Sequence, residues 1–377
     1  MSLKEPIGKF FTLYGWEVSP YTAKVRSYLQ HKNIPFKTIA PNILDLKRTI
    51  EPRTGKMVMP VVVTPQGEMI QDSTVIIEYL EKKFPDNSVN PDTPKQYFVA
   101  LLMELCGDEW LSMAALHYRW NYPENTHYIL NQFGKNAFPY LPGYIQRKFA
   151  SPFANKMRSY LPALGITSHM HEALETNTHK ILSLLNQHFE NQPYLLGSTP
   201  CIGDFSLFGP IYAHLHRDPC PDNLISQYTN ILAWVNRLDN DTQRKHGNFL
   251  DNDTVPDTLL ELIALIIEHQ FPLINASMNS ISKWKLEDKS RVKLPQKLGK
   301  AIMHIEEIKT ERMNITYPYW MFQRISDYYL NLTNKDKNAI KGLVSTSSSS
   351  VKNLFGLLDR KLVHRVELER CRLYIRN

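Results

Sequence analysis

The chain has 377 residues, of which 43% are apolar and 21% charged, and its formal net charge is +7. This length predicts two or three domains, and the composition is ordinary for a soluble globular protein. The positive charges are spread along the sequence without a block of Lys and Arg, so we expect no nucleic-acid partner.

Two further sequence features limit the cellular context. The four cysteines form no CxxC pair, so the pattern indicates neither a disulfide framework nor a metal site. The first ten residues lack an apolar signal core. The most apolar stretch, Leu259 to Ile267, contains Glu261 and is far shorter than the ~20 residues that span a bilayer. We therefore expect a cytoplasmic location and no membrane partner.

Residues 1–85 alternate short apolar runs with amphipathic segments, and we assign them to one α/β domain. Four runs predict strands: Phe10–Tyr14, Phe36–Ile39, Pro60–Thr64 and Glu68–Ile70. Two segments with apolar residues three and four apart predict helices: Tyr21–His31 and Ser73–Phe84. The resulting order βαβ, then ββα, is typical of a thioredoxin-like domain. A polar, Pro-rich linker follows.

Residues 95–246 have a helical pattern throughout, which predicts an all-α domain. Met170–Phe189 is amphipathic, and Asp204–His216 is apolar enough to predict a buried central helix. Asp204 stands three residues after Cys201, the spacing of a capping box, and we interpret it as structural.

Residues 252–377 predict a mixed α+β extension. Its predicted helices are Pro256–Glu268, Ile274–Trp284, Pro318–Leu330 and Val351–Leu362. Ala301–Ile308 and Arg312–Thr316 alternate around Lys309 and Thr310 and predict a hairpin, and Val366–Ile375 predicts one more strand. Trp320 and Arg324, four residues apart, either pack together or line a ligand cleft.

Three short motifs in the first domain have a chemical meaning. Ser19-Pro20 opens the first helix, and a hydroxyl at a helix N-terminus favours a neighbouring thiolate. Met59-Pro60 precedes a strand, and Asp72-Ser73 opens a helix whose free N–H groups bind anions. Each motif has a simpler interpretation: Ser19 and Asp72 as helix caps, and Pro60 as a trans strand-edge proline.

Taken together, these motifs resemble the glutathione transferase superfamily over residues 8 to about 240, in particular a serine-type bacterial member with a C-terminal extension. The resemblance implies that Ser19 hydrogen-bonds the glutathione thiolate. It implies that Pro60 is cis, that Met59 offers its backbone to the cysteinyl part, and that Asp72 and Ser73 hold the γ-glutamyl end. Thiol-exchanging relatives carry Cys-Pro-Tyr-Cys, whereas this chain has hydroxyls at Ser19 and Thr22.

Other positions keep alternatives open. The resemblance places Tyr21 and Lys56 near the glycyl end of glutathione, with Lys47 competing for the glycyl carboxylate. Tyr14, at the end of the first strand, is the rival hydroxyl to Ser19. The segments His117–Trp120 and Phe133–Tyr144 either face the second-substrate cleft or pack in the core.

The predicted function is a glutathione transferase that conjugates the thiolate of glutathione, its co-substrate, to an unidentified small electrophile, which is the chemistry of detoxification. No metal is expected. The alternative is a non-catalytic glutathione-binding or scaffold protein with the same fold. The resemblance also implies a homodimer formed through the N-terminal domains, a surface that the extension could cover.

Overall fold

The structure is a computed structural model that describes residues 10–222, 224–239, 247–344, 349–359 and 362–376. The predicted domains 1–85, 95–246 and 252–377 therefore lie partly outside the described residues, namely at 1–9, 240–246 and short stretches of the extension. These three domain limits stay predictions. The fold class is confirmed: a thioredoxin-like domain, a helical domain, and a C-terminal region of strands and helices.

The thioredoxin-like domain is built on a four-stranded sheet of order β2-β1-β3-β4. Its elements are β1 (Phe11–Tyr14), α1 (Pro20–His31), β2 (Phe36–Ile39), α2 (Ile43–Asp45), α3 (Glu51–Thr54), β3 (Val61–Val63), β4 (Met69–Gln71) and α4 (Ser73–Lys83). β1 is parallel to β2 and antiparallel to β3, which pairs with β4. All four predicted strands and both predicted helices are present, with ends shifted by at most one residue.

The helical domain contains α5 (Pro94–Leu105), α6 (Leu111–Asn121), α7 (Pro123–Ala137), α8 (Gly143–Arg158), α9 (His171–Asn191), α10 (Ile202–Pro210) and α11 (Thr229–Asp239). A π turn, Cys106–Trp110, joins α5 to α6, and another, Ile211–His216, extends α10. A Cβ at Gly209 would lie 2.7 Å from the Pro20 carbonyl oxygen, so this glycine lets α10 approach the start of α1.

Asp204 is structural, as its spacing from Cys201 predicts. Its carboxylate accepts hydrogen bonds from the Cys201 amide at 2.9 Å and the Leu195 amide at 3.1 Å. The Trp234 indole donates to it at 3.0 Å. Buried backbone donors around the start of α10 are thereby satisfied, which stabilises this part of the helical core.

The extension contains α12 (Leu260–Glu287), β5 (Lys297–Ile305), β6 (Ile308–Ile315), α13 (Tyr317–Leu330), α14 (Asn334–Leu343), α15 (Ser349–Leu358), β7 (Arg365–Glu369) and β8 (Arg372–Arg376). Three predictions here were wrong in detail. The two predicted helices before residue 285 are one helix, because the buried face continues through Phe271 and Ile274 on either side of Pro272.

The hairpin turn and the tail also differ from the prediction. The first turn falls at Glu306 and Glu307, where Ile305 pairs with Ile308, and not at Lys309 and Thr310. The buried face of β6 consists of the polar residues Thr310, Arg312 and Asn314. The alternation of apolar and polar residues therefore did not show where this strand begins. The tail forms a second hairpin, β7 with β8, instead of one strand.

One helical segment, Asp257–Glu287, is long and apolar enough to cross a membrane by length and composition. It is longer than the apolar stretch recognised in the sequence because the helix runs through Pro272. Of its most apolar window, 56% is buried inside the protein, as in a core helix. Such a helix is weak evidence for a membrane, and the expectation of no membrane partner stays a prediction.

Helix α13 attaches the extension to both other domains. The Arg324 guanidinium donates to Glu78 of α4 at 2.8 Å and to Glu104 of α5 at 2.6 Å. It also lies 5.8 Å from the centre of the Trp320 ring, so these two side chains pack together, the first of the two alternatives. The Gln323 side chain then pairs with both backbone groups of Val366, which holds the tail hairpin against α13.

Candidate active site

A cavity of about 360 Å³ lies where the three parts of the chain meet, and we call it the Asp72 cavity. The N-terminal domain contributes most of the predicted ligand-binding residues to its wall: Tyr21, Lys56, Met59, Pro60, Asp72 and Ser73. The helical domain contributes Glu109, and the extension contributes Gln296, Tyr317, Leu368 and Cys371. This volume is within the range of small-molecule sites, about 300–1,000 Å³.

Asp72 caps α4 and has one carboxyl oxygen directed to a neighbour in the extension. Its Oδ1 accepts from the amides of Thr74 at 3.0 Å and Val75 at 3.2 Å. The Tyr317 hydroxyl donates to Oδ2 at 2.7 Å. Burial raises the pKa of Asp72, although these hydrogen bonds oppose the shift. The backbone φ of +80° is one that Asp and Asn tolerate better than most residues.

The Met59–Pro60 peptide bond is cis, as the resemblance implies, and both residues line the Asp72 cavity. Lys56 lines it too, and its Nζ donates to the Cys371 carbonyl oxygen at 3.1 Å. Burial lowers the pKa of Lys56. The rival Lys47 is exposed and lies in the π turn after α2, away from this wall. The structure thus brings Lys56, and not Lys47, beside the other predicted residues.

A second cavity of about 330 Å³ adjoins the first, and we call it the Ser19 cavity. The two cavities share Tyr21, Val58 and Met59 in their walls. Most of the Ser19 cavity is apolar, with Trp16, Val18, Met57, Trp120, Phe133 and Phe153 among its lining residues. A hydrophobic substrate bound here would lie next to a polar ligand bound in the Asp72 cavity.

Ser19 lies in the wall of this apolar cavity and also caps α1. Its Oγ accepts from the Thr22 amide at 3.4 Å, which is long for such a bond. Because the Ser19 oxygen is the acceptor in this bond, its own hydrogen is available to a ligand. Thr22 is buried, and Tyr14 lines neither of the two cavities among the residues that the structure describes. Both interpretations of Ser19, cap and thiol partner, are therefore compatible with its position.

The two aromatic segments, for which the alternatives were lining the cleft and packing in the core, divide further, because Tyr140 and Tyr144 of the second segment are exposed. Arg119, Trp120 and Phe133 line the Ser19 cavity. The Arg119 guanidinium is committed to Asp218 at 2.8 Å and to the Val18 and Ala213 carbonyl oxygens at 2.6 Å. His117 instead pairs with Glu175 at 2.8 Å, outside the cavity. Arg119 thus holds the loop before Ser19 in place and is not free to bind an anion.

Tyr21 separates the two cavities. Its hydroxyl donates to the Asp108 carbonyl oxygen at 3.0 Å, which ties the first turn of α1 to the π turn of the helical domain. Burial and the nearby carboxyls Glu109 and Asp108 raise its pKa well above the ordinary value, so the phenol stays neutral. Tyr21 can thus contribute a wall and a neutral hydroxyl to a ligand site, but no charge.

A buried ion network lies directly behind the site. The Lys24 ammonium contacts Asp108 at 2.7 Å, Glu104 at 3.1 Å and the Thr74 hydroxyl at 3.3 Å. Arg324 contacts the other oxygen of Glu104. Burial raises the pKa of Glu104, but the Arg324 and Lys24 charges outweigh this and lower it below the ordinary value. The network joins α1, α4, α5 and α13, so it fixes the relative positions of the segments around the Asp72 cavity.

The residues of the Asp72 cavity that were missed in the sequence include Glu109, Gln296, Tyr317 and Cys371. Three of these four come from the extension, for which the resemblance implied no role. Tyr317 directly precedes the aromatic run that begins at Pro318, so the sequence contained a signal for this residue and for none of the other three.

Burial raises the pKa of Cys371 to about 11, and its thiol is therefore protonated near neutral pH. Among the described residues, no three His, Cys, Asp or Glu side chains are grouped as metal ligands.

Known protein families match the N-terminal domain and the helical domain of this chain separately. The sequence pattern of the glutathione S-transferase N-terminal domain matches residues 13–88, and that of the C-terminal domain matches residues 156–241. A curated relative, the isoprene-epoxide–glutathione S-transferase of Rhodococcus sp. strain AD45, is 33% identical over 98 residues, 24% of this chain. The match spans only 39% of the length of that relative.

Similar solved structures include two bacterial proteins. A glutathione S-transferase from Methylobacterium radiotolerans in complex with glutathione sulfonate is 18% identical, with a TM-score of 0.40, and the match covers 62% of this chain and 92% of that one. The beta-etherase LigF of Sphingobium sp. strain SYK-6 is 17% identical, with a TM-score of 0.43. This match covers 63% of the present chain and 96% of LigF. The chain thus contains the N- and C-terminal domain patterns of glutathione S-transferases in that order, together with an extra region beyond the two domains.

Proposed function

We propose that the protein is a glutathione transferase that binds glutathione in the Asp72 cavity and conjugates its sulfur to a small apolar electrophile in the Ser19 cavity. The observation that carries this proposal is the adjacency of the two cavities through Tyr21, Val58 and Met59. One cavity has charged groups suited to a zwitterionic tripeptide, and the other has the apolar wall suited to a second substrate.

The residues of the Asp72 cavity fit glutathione chemically. Asp72 offers a carboxylate to the ligand ammonium, and Ser73, at the first turn of α4, offers the N-terminal end of a helix to the γ-glutamyl carboxylate. Lys56 offers a cation to the glycyl carboxylate. Met59 presents its backbone beside the cysteinyl part of the ligand. These roles of Tyr21, Lys56, Met59, Pro60, Asp72 and Ser73 are part of the proposal.

Ser19 supplies the catalytic contribution in this proposal. Free glutathione has a thiol pKa of about 8.5, so only a minority is thiolate at neutral pH. The Ser19 hydroxyl donates a hydrogen bond to the sulfur at the N-terminus of α1, which favours the anion. The thiolate then forms a carbon–sulfur bond with the electrophile as the bond to the leaving group breaks or a strained ring opens. Ser19 forms no covalent bond.

The identity of the electrophile is left to experiment. An epoxide is a reasonable first compound because the curated relative carries isoprene epoxide in its name. The apolar lining of the Ser19 cavity is compatible with a small hydrocarbon epoxide.

We also propose that the enzyme is cytoplasmic, acts in detoxification and forms a homodimer. Static light scattering tests the dimer.

One observation supports the alternative, a non-catalytic glutathione-binding or scaffold protein. The extension already uses two ligand-binding groups of the Asp72 cavity: Tyr317 donates to Asp72, and Lys56 donates to the Cys371 carbonyl oxygen. A ligand must compete with or join these contacts. Turnover of glutathione with a panel of electrophiles separates the two functions, since the scaffold protein would show none.

Asp72→Asn tests the ligand site without disturbing α4. Asn keeps the side-chain cap and tolerates the positive φ of this position. The substitution removes the charge offered to the ligand ammonium, so we expect glutathione affinity to fall about tenfold, as for the loss of a charge-assisted hydrogen bond. Isothermal titration calorimetry measures it. Unchanged affinity with an intact melting temperature would refute the assignment of Asp72.

A further inference from the structure

The Asp72 cavity contains a second carboxyl group, from Glu109, that the function proposed above does not use. Glu109 lies in the π turn that joins α5 to α6 and is half-buried. π turns of this kind are frequent at functional sites. Within the described part of the chain, the Glu109 carboxyl accepts no hydrogen bond and forms no ion pair within 4.0 Å, although other buried carboxyls nearby are paired.

Among the described residues, no cation forms an ion pair with Glu109 within 4.0 Å, although the Arg312 charge acts on it from across a small void. Lys24 contacts Glu104 and Asp108. Lys56 donates to the Cys371 carbonyl oxygen. Arg312, which lines a small void of about 30 Å³ together with Glu109, directs its guanidinium to the Met113 sulfur at 2.9 Å. A partly buried carboxyl without a partner is costly, so a cation supplied by a ligand would improve its environment.

Tyr317 connects the extension to the same place. It begins α13, and its hydroxyl donates to Asp72 Oδ2 at 2.7 Å. The position of α13 is fixed by Arg324, which is bonded to Glu78 and Glu104. Asp72, Glu109 and Tyr317 thus contribute two carboxyls and one hydroxyl to the wall of one cavity, to which Lys56 contributes an ammonium group.

This arrangement complements the charges of glutathione, which has one ammonium and two carboxylates. Resting on the proposed function, we propose that Glu109 and Tyr317 are binding residues for the γ-glutamyl ammonium, which they hold together with Asp72. The extension then completes the glutathione site within one chain, and glutathione is selected over tripeptides that lack the free amine.

Proton release accompanies binding under this proposal. Burial and the Asp108 charge raise the pKa of Glu109 to about 8, while the charges of Arg312 and Lys24 oppose the shift and that of Asp72 adds to it. The phenols of Tyr21 and Tyr317, both neutral, also interact with Glu109. At pH 7 Glu109 is mostly protonated, and an ammonium that arrives beside it favours the carboxylate, so a proton leaves to the buffer.

Calorimetry with two ligands tests the proposal: glutathione, and its analogue glutaryl-cysteinyl-glycine, which lacks only the amine. The parent chain is compared with Glu109→Gln and Tyr317→Phe, which are nearly isosteric. The matched controls are Glu172→Gln, at an exposed glutamate of α9, and Tyr328→Phe, at a second half-buried tyrosine of α13. Titration in two buffers of different ionisation enthalpy measures the protons released.

We expect the parent to bind glutathione at least tenfold more tightly than the analogue. Each test variant should lose about tenfold in glutathione affinity but keep its affinity for the analogue, and Glu109→Gln should reduce the proton release to the part that comes from the glutathione thiol. Equal affinity of the parent for both ligands, or variants that weaken both ligands alike, would overturn this inference and leave the proposed function standing. No binding of glutathione by the folded parent would overturn both.

Discussion

Lys24→Met is expected to destabilise the protein by about 3–5 kcal/mol at neutral pH, the cost of breaking a buried ion pair on one side. The Lys24 side chain is buried, as are those of its partners Glu104 and Asp108. Met fills a similar volume, so little of the effect comes from packing. Arg324 still compensates Glu104 in the variant, which leaves Asp108 as the uncompensated charge. Chemical denaturation monitored by circular dichroism measures the loss.

The loss of stability in Lys24→Met should become smaller as the pH falls. Burial raises the pKa of Asp108 above its ordinary value even with Lys24 present. Without Lys24 this pKa rises further, so the folded variant binds a proton that the unfolded chain does not, and its stability increases as the pH falls from 8 toward 5. Lys47→Met, at an exposed lysine, is the control and should change stability little. A deficit under 1 kcal/mol, or one independent of pH, would contradict the account of the network.

Ser19→Ala is expected to lower kcat/KM for conjugation by about 10- to 100-fold, as expected for the loss of one preorganised hydrogen bond to the reacting anion. The loss should shrink at a pH above the thiol pKa of free glutathione, about 8.5, where the thiolate forms without help. The variant also loses a helix cap, which costs about 1 kcal/mol of stability. Rates must therefore be measured well below its melting temperature.

Two matched variants make this experiment decisive. Ser19→Thr keeps both the hydroxyl and the cap and should retain most of the activity. Tyr14→Phe removes the rival hydroxyl, which lines neither cavity among the described residues, and should leave activity unchanged. Turnover that survives in Ser19→Ala but falls in Tyr14→Phe would transfer the thiol-stabilising role to Tyr14.

Much of the first two domains could be predicted from local patterns. Val25, Tyr28 and Leu29 mark one face of α1 at helical spacing, and all three are buried. The motifs at Ser19, Met59 and Asp72 are short and each belongs to the start of one element, so the sequence alone located them. The structure adds that Met59 and Asp72 share one cavity wall, whereas Ser19 lies in the neighbouring cavity.

The contribution of the extension could not be predicted, because it depends on contacts between residues far apart in the sequence. Tyr317 meets Asp72 across 245 positions, and the Cys371 carbonyl meets Lys56 across 315. Glu109 gave no signal either, since a single glutamate in an apolar helical segment is usually a solvated or paired residue. Only the packing of α13 and the π turn against the N-terminal domain brings these groups together.

The most direct test of the account is the thiol pKa of bound glutathione, read from thiolate absorbance in the ultraviolet as a saturated complex is titrated with base. The account predicts a pKa at least one unit below the value of about 8.5 for the free thiol, and a return toward that value in Ser19→Ala. A bound thiol that titrates like the free one in the parent chain would contradict the proposal that this site activates glutathione.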